Sequence, residues 1–162
     1  MSLEFSTETQ TRIRDVLSRY PTTDAALIPV LYLAQDEFGS LTREVMELVA
    51  GHLEIPVTRV LNTATFYTML RKQPVGRYHV EVCHNVSCHL RGSDGLLETL
   101  TRLLGIRPGE TTEDGLFTLD TVECLAACGN GPALQVNGEF HEHMTPEKLE
   151  KLVTTLREDG EE

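Results

Sequence analysis

The sequence predicts an α+β chain in two parts, a small helical bundle over residues 1–73 and an α/β layer on a mixed sheet over 74–162. Three observations predict it. Apolar residues recur at helical intervals in the first part and at every second position from Tyr78. Between the two textures lies Arg71-Lys72-Gln73-Pro74-Val75-Gly76, a polar stretch with Pro and Gly that reads as a linker. Charge is also divided unevenly: 9 acids and 7 bases up to Val75, then 16 acids and 7 bases from Gly76, within a net charge of −11.

In the first part, Ser6 or Thr7 caps a helix to about Arg19, with Ile13, Val16 and Leu17 as its apolar face and Pro21 as its stop. Thr23 or Asp24 opens a second helix, apolar nearly all round from Ala25 to Phe38. Such a helix is buried among others or against a partner. Pro29 marks a candidate kink in it and Gly39 its end. Thr42 caps a third helix to about His52, with Val45, Met46, Leu48 and Val49 inward. After Pro56, Thr58 caps a fourth through Val60, Leu61, Ala64 and the pair Phe66-Tyr67, read as core packing rather than a partner contact.

In the second part, Tyr78, Val80 and Val82 alternate with His79 and Glu81 in a strand ending at Cys83. Ser93 caps a helix carrying Leu96, Leu97, Leu100, Leu103 and Leu104, closed by Gly105. Pro108-Gly109 and Asp114-Gly115 mark loops, and a second strand runs from Leu116 to Val122 toward Cys124. Ala133–Val136, Asn137-Gly138 and Glu139–His143 read as a hairpin with a type I′ turn. Thr145-Pro146-Glu147 opens a last helix with Leu149, Leu152, Val153 and Leu156 as its buried stripe. Glu158–Glu162 reads as a frayed acidic tail.

Composition narrows the function. A chain of net charge −11 repels phosphate backbones and anionic membrane surfaces, which argues against nucleic-acid binding and direct membrane insertion. The first residues lack the basic and apolar regions of a signal peptide. The longest apolar run, Ala25 to Ala34, is interrupted by Pro29 and too short to span a bilayer. The expected location is cytoplasmic, with any membrane association made through another protein of a complex. No G-x-G-x-x-G after a strand, P-loop or G-x-S-x-G is present, so nucleotide binding and serine hydrolysis find no support.

The chemistry is concentrated in four cysteines. Cys83 and Cys88 enclose four residues, Cys124 and Cys128 enclose three, and 35 residues separate the pairs. Two close pairs make a complete Cys₄ metal site. Structural zinc usually takes two-residue knuckles, whereas these wider gaps suit a [2Fe–2S] cluster with each iron held by one pair. Zinc stands as the alternative. Both pairs follow strand ends, which can lie side by side at one rim of a sheet. His84 and His89 read as neighbours of the site rather than ligands. Gly129 and Gly131 suit close backbone approach, and Asn85 and Ser87 are candidate donors to sulfur. Glu81 and Glu123 beside the ligands predict a low reduction potential. His141 and His143, at strand spacing, read as exposed polar residues of the hairpin rather than a metal pair.

The run Cys83-x₄-Cys88, the stretch Leu104-Gly105-Ile106-x-Pro108-Gly109-Glu110-x-Thr112-x-Asp114-Gly115-x-Phe117, then Cys124-Leu125-x-x-Cys128, Pro132 and Val136-Asn137 together resemble the E-type subunit of bacterial NADH–quinone oxidoreductases, the respiratory complex I family. Phe66-Tyr67 also fits that pattern. Family members often carry Ala where this chain has Gly131. The resemblance implies a thioredoxin-like [2Fe–2S] ferredoxin domain over 74–162 behind the helical bundle, and a cis-proline site at Pro132. It implies one cluster held by Cys83, Cys88, Cys124 and Cys128. It further implies docking on the flavin- and NADH-binding F-type subunit among other peripheral-arm subunits, on the cytoplasmic side of the inner membrane. FMN and NADH would be bound by that partner, and the cluster would hold an electron from the flavin temporarily. The isolated chain is then an electron carrier without NADH-oxidising activity. The helix from Asp24 to Phe38 and its neighbours are the candidate docking elements. Equivalent diaphorase subunits of NAD-linked hydrogenases and formate dehydrogenases remain open alternatives. So do, in another class, a stand-alone ferredoxin and a structural zinc-binding module.

Overall fold

The computed structural model of the chain describes residues 3–160. The chain divides into two compact units, Met1–Pro74 and Val75–Glu162.

The first unit is helical: α1 (Thr7–Ser18), a 3₁₀ turn (Asp24–Ala26), α2 (Leu27–Phe38), α3 (Arg43–Leu53) and α4 (Val57–Phe66). Ser6 caps α1 by accepting the Thr9 N–H at 3.2 Å, and Thr42 caps α3 by accepting the Val45 N–H at 3.4 Å. α2 packs against α1, α3 and α4, which consumes its apolar surface: Leu27, Val30, Leu31 and Ala34 are buried. Each large side chain so buried contributes about 1.5–3 kcal/mol. Of the large apolar side chains of α2 only Tyr32 is exposed, so the helix forms the core of its own unit. Pro29 falls in the first turn of α2, where a missing N–H removes no helical bond, and no kink is needed. The buried Gln35 donates to the Met69 carbonyl at 3.2 Å and accepts the Arg71 N–H at 2.6 Å, fastening the chain after α4 to α2.

Two expectations fail on α4. Extended Pro56, not Thr58, occupies the cap position, and Thr58 lies in the first turn. Phe66 is 77% exposed rather than in the core. Val60 and Ala64 form the inward stripe, and Phe66, two residues past Ala64, stands about 200° round the helix from it. Tyr67 does pack against the core, edge-on to Phe66.

The second unit contains β1 (Tyr78–Cys83), α5 (Val86–Leu90), α6 (Ser93–Leu104), β2 (Glu110–Thr111), β3 (Phe117–Val122), a 3₁₀ turn (Cys128–Asn130), β4 (Leu134–Val136), β5 (Glu139–His141) and α7 (Pro146–Gly160). The sheet order is β2-β3-β1-β4-β5. β1 and β3 are parallel and the other neighbours antiparallel, giving the mixed sheet expected. On one face Val80, Val82, Phe117, Leu119, Leu134 and Val136 pack with Leu96 and Leu100 of α6 and Leu149 and Val153 of α7. The alternate residues of the central strands are polar: His79 Nε2 lies 2.7 Å from the Asp120 carboxylate, and Gln135 donates to Glu81. Asn137 and Gly138 both take positive φ (51° and 86°), the type I′ turn that matches the twist of a two-residue hairpin.

The boundaries bring further corrections. α5 and β2 have no counterpart among the expected elements, and β3 starts at Phe117 rather than Leu116. Gly92, at φ 96°, takes the cap position before α6, because the tight turn out of α5 needs a left-handed residue. Ser93 becomes the first helical residue, its buried hydroxyl without a partner. β5 ends at His141, since His143 turns to φ 48° and donates its N–H to the Asn130 carbonyl at 2.7 Å. α7 continues through Gly160 where fraying was expected from Glu158, and Glu161 and Glu162 lie outside the described residues. Among the described residues no helix is long and apolar enough to cross a membrane.

Candidate metal centre

The parallel pairing of β1 with β3 organises the site. Its last register pair is Cys83 with Val122, so β1 delivers Cys83 to the rim where β3 ends, two residues before Cys124. The Cys83 N–H donates to the Ala133 carbonyl at 3.1 Å, and the His84 N–H to the Val122 carbonyl at 3.2 Å. Cys83 is thus pinned between the end of β3 and the strand that follows Cys128. The two pairs, remote in sequence, reach one rim of the sheet.

The first pair is built on regular structure. Asn85 caps α5 by accepting the Val86 N–H at 2.8 Å, and α5 turns Cys88 inward. Cys83 is 3% exposed and Cys88 1%. Burial pushes the Cys88 thiol up from its ordinary range, and Cys83 and Cys128 nearby push the same way, while the Ala133 N–H opposes them. Cys88 therefore lies close enough to Cys83 and Cys128 for charge on them to act on it. Its raised pKa favours the thiol, and a metal bound there would displace that proton.

The second pair is held by a loop, and both Cys124 and Cys128 are exposed. Ala126, between them, adopts φ 57°, and its N–H points back to Cys124 Sγ at 3.3 Å. After Cys128 the 3₁₀ turn is tied down through Asn130, whose side chain donates to Glu142 at 2.8 Å. The Gly131–Pro132 peptide is cis. A Cβ on Gly131 would come within 3.2 Å of Cys88 Sγ, so glycine keeps open the space beside that sulfur. Nothing lies within 4 Å of the same position on Gly129. Of the two glycines expected to allow close approach, only Gly131 does so.

The other candidates take definite places. Asn85 is spent on capping, and the donors aimed at sulfur are the backbone N–H groups of Ala126 and Ala133. His84 Nε2 pairs with Glu123 at 3.4 Å and His89 Nδ1 with Asp94 at 2.9 Å, which leaves both outside the sulfur set. The Glu123 side chain is 86% exposed, which weakens its expected hold on the potential. Glu81 faces His79 and Gln135. His141 and His143 do not share a strand face, because the strand ends between them. Arg91, not anticipated, donates from the end of α5 to the carbonyls of Gly129 at 2.9 Å and Gly131 at 3.3 Å.

Among the described residues no three His, Cys, Asp or Glu side chains are drawn together closely enough to hold an ion as they stand. The donor set nevertheless fits an iron–sulfur cluster. It is all thiol, it offers backbone N–H groups at two sulfurs, and it leaves the space beside Cys88 that a larger residue at 131 would fill. The exposed pair sits on a loop at the surface.

Comparison with known proteins gives the same direction. The family described as thioredoxin-like [2Fe–2S] ferredoxin matches residues 13–157. The chain is 45% identical over 145 residues to an E-type subunit of the NADH-quinone oxidoreductase of Rhizobium meliloti (strain 1021), covering 90% of this chain and 86% of that protein. It is 43% identical over 148 residues to the E-type subunit of the NADH-quinone oxidoreductase of Rickettsia bellii (strain RML369-C), covering 90% and 89%. Among solved structures, an air-oxidized NAD⁺-reducing [NiFe]-hydrogenase superposes with a TM-score of 0.73 at 21% identity, over 82% of this chain and 23% of that one. At that identity the likeness speaks for the fold.

Proposed function

The chain belongs to the thioredoxin-like [2Fe–2S] ferredoxin family, and on that premise we propose that it is the electron-carrying E-type subunit of an NADH–quinone oxidoreductase. In this reading Cys83, Cys88, Cys124 and Cys128 hold one [2Fe–2S] cluster. The observation that supports this reading is the register pair Cys83–Val122, which brings the end of β1 beside the end of β3, two residues before Cys124. A cluster bound there supplies a site that accepts and returns one electron at a time.

The protein's own residues divide the remaining work. Cys83 and Cys88 sit behind the sheet rim and exclude water from one side. Cys124 and Cys128 lie at the surface, so electrons enter and leave on their side. The exchange partner in this reading is the FMN of the NADH-binding F-type subunit, within a peripheral assembly on the cytoplasmic side of the membrane. The chain has no glycine-rich nucleotide fingerprint, so hydride transfer from NADH belongs to that partner.

The test is metal and sulfide analysis of anaerobically purified chain, with EPR after dithionite reduction. About two irons and two sulfides per chain support the assignment. Stoichiometric zinc without sulfide overturns it. Loaded chain mixed with NADH should stay oxidised until the flavin-bearing partner is added. Reduction by NADH alone would remove the division of labour.

A further inference from the structure

We propose that Arg91 is the positioning residue that clasps the two cysteine pairs together and supplies the local positive charge of the cluster site. The inference rests on the four-cysteine reading above.

Two sets of contacts carry it. Through its backbone Arg91 belongs to the first pair: its N–H donates to the Cys88 carbonyl at 3.1 Å, closing α5. Through its side chain it belongs to the second. The guanidinium donates to the carbonyls of Gly129 and Gly131, the two glycines that follow Cys128. One residue therefore spans the break between an element-borne pair and a loop-borne pair. Both bonds leave from one terminal nitrogen, Nη1, whose two N–H groups are fixed in the guanidinium plane, whereas an ammonium on a flexible stem must be ordered to serve the same pair. Without it, those carbonyl oxygens would need other donors at the edge of a site that must accept negative charge.

The charge argument is separate. Residues 76–162 carry 16 acids against 7 bases. The histidines nearest the first pair in sequence, His84 and His89, face carboxylates. Among the described residues none of the ion pairs involves Arg91, so its charge is balanced by carbonyl dipoles alone. Positive charge beside a group that becomes more negative on reduction favours the reduced form, and the residue is exposed enough for salt to screen it.

The experiment uses the full chain, purified anaerobically, as wild type, Arg91→Lys and Arg91→Met. Three quantities are read: iron and sulfide per chain, the rate of iron loss to a chelator, and the midpoint potential by EPR-monitored titration at low and high salt. Arg91→Met is expected to lose iron several-fold faster and to show a lower potential, with the difference shrinking in salt. Arg91→Lys keeps the charge and loses the planar nitrogen that reaches both carbonyls, so its potential should stay near wild type while iron loss is still faster. Wild-type potentials and rates in both variants would overturn the proposal, and an unchanged potential in Arg91→Met would overturn its electrostatic half. Should Arg91→Met misfold, Arg91→Lys decides the clasp, since iron loss at the wild-type rate removes it. A wild-type chain lacking about two irons would instead retract the four-cysteine reading.

Discussion

The two cysteine pairs are built differently. Cys83 and Cys88 come from a strand end and a helix, and both are buried before any metal arrives. Cys124 and Cys128 stand on an exposed loop shaped by a left-handed alanine, a 3₁₀ turn and an arginine reaching across from the other pair. The contrast teaches that the two halves of the site rest on different supports. One side is fixed by the packing that fixes the sheet, and the other, on an exposed loop, is the more adaptable.

The sharpest way to break this asymmetry is to remove one sulfur from each side. Cys88→Ser should abolish cluster assembly, because nothing else in the buried half can replace a ligand there. Cys128→Ser should still assemble some cluster, because an exposed loop can bring serine oxygen or water to the open position. Equal iron contents in the two purified variants would contradict the comparison.

A second prediction crowds the rigid half from the adaptable side. Gly131→Val would drive side-chain atoms against Cys88 Sγ, where a Cβ already stands at 3.2 Å. Iron content should fall several-fold while far-UV circular dichroism stays native. A fully loaded variant would show that the loop has more slack than the structure gives it.

A smaller effect is expected at Ala126. A left-handed backbone costs a non-glycine residue about 1–2 kcal/mol, so Ala126→Gly should leave the chain slightly more stable or neutral, while Ala126→Val should destabilise the loop. Urea unfolding of the metal-free chain measures the first, and the rate of cluster loss the second. The smallest effect belongs to Glu123. Its side chain is 86% exposed and faces His84, so Glu123→Gln should barely move the midpoint potential. A large upward shift would show that surface charge reaches the cluster despite solvent.

Much of this arrangement is legible in the sequence, because regular elements announce themselves through period. The alternation from Tyr78 to Val82 and the Asn137-Gly138 dipeptide place β1 and the hairpin. The cysteine spacing singles out the residues that the parallel strand pair then brings together. What is not legible is short or directional. α5 has five residues and β2 two, too few for either periodicity to repeat enough to reveal them. Phe66 is apolar and so reads as core, although it stands about 200° round the helix from Ala64 and faces outward. Gly129 and Gly131 look alike in sequence, yet only the second faces a sulfur. Arg91 carries no signal at all, because its partners are backbone carbonyls nearly forty residues away, and a carbonyl has no residue identity to read.

The edges of the sheet have a consequence of their own. The long strands β1 and β3 lie inside it, while the outer positions fall to β2 and β5, of two and three residues. Outermost strands this short offer little backbone with which to pair to another copy of the chain. The two ends of the sheet are thereby poor templates for strand-on-strand aggregation.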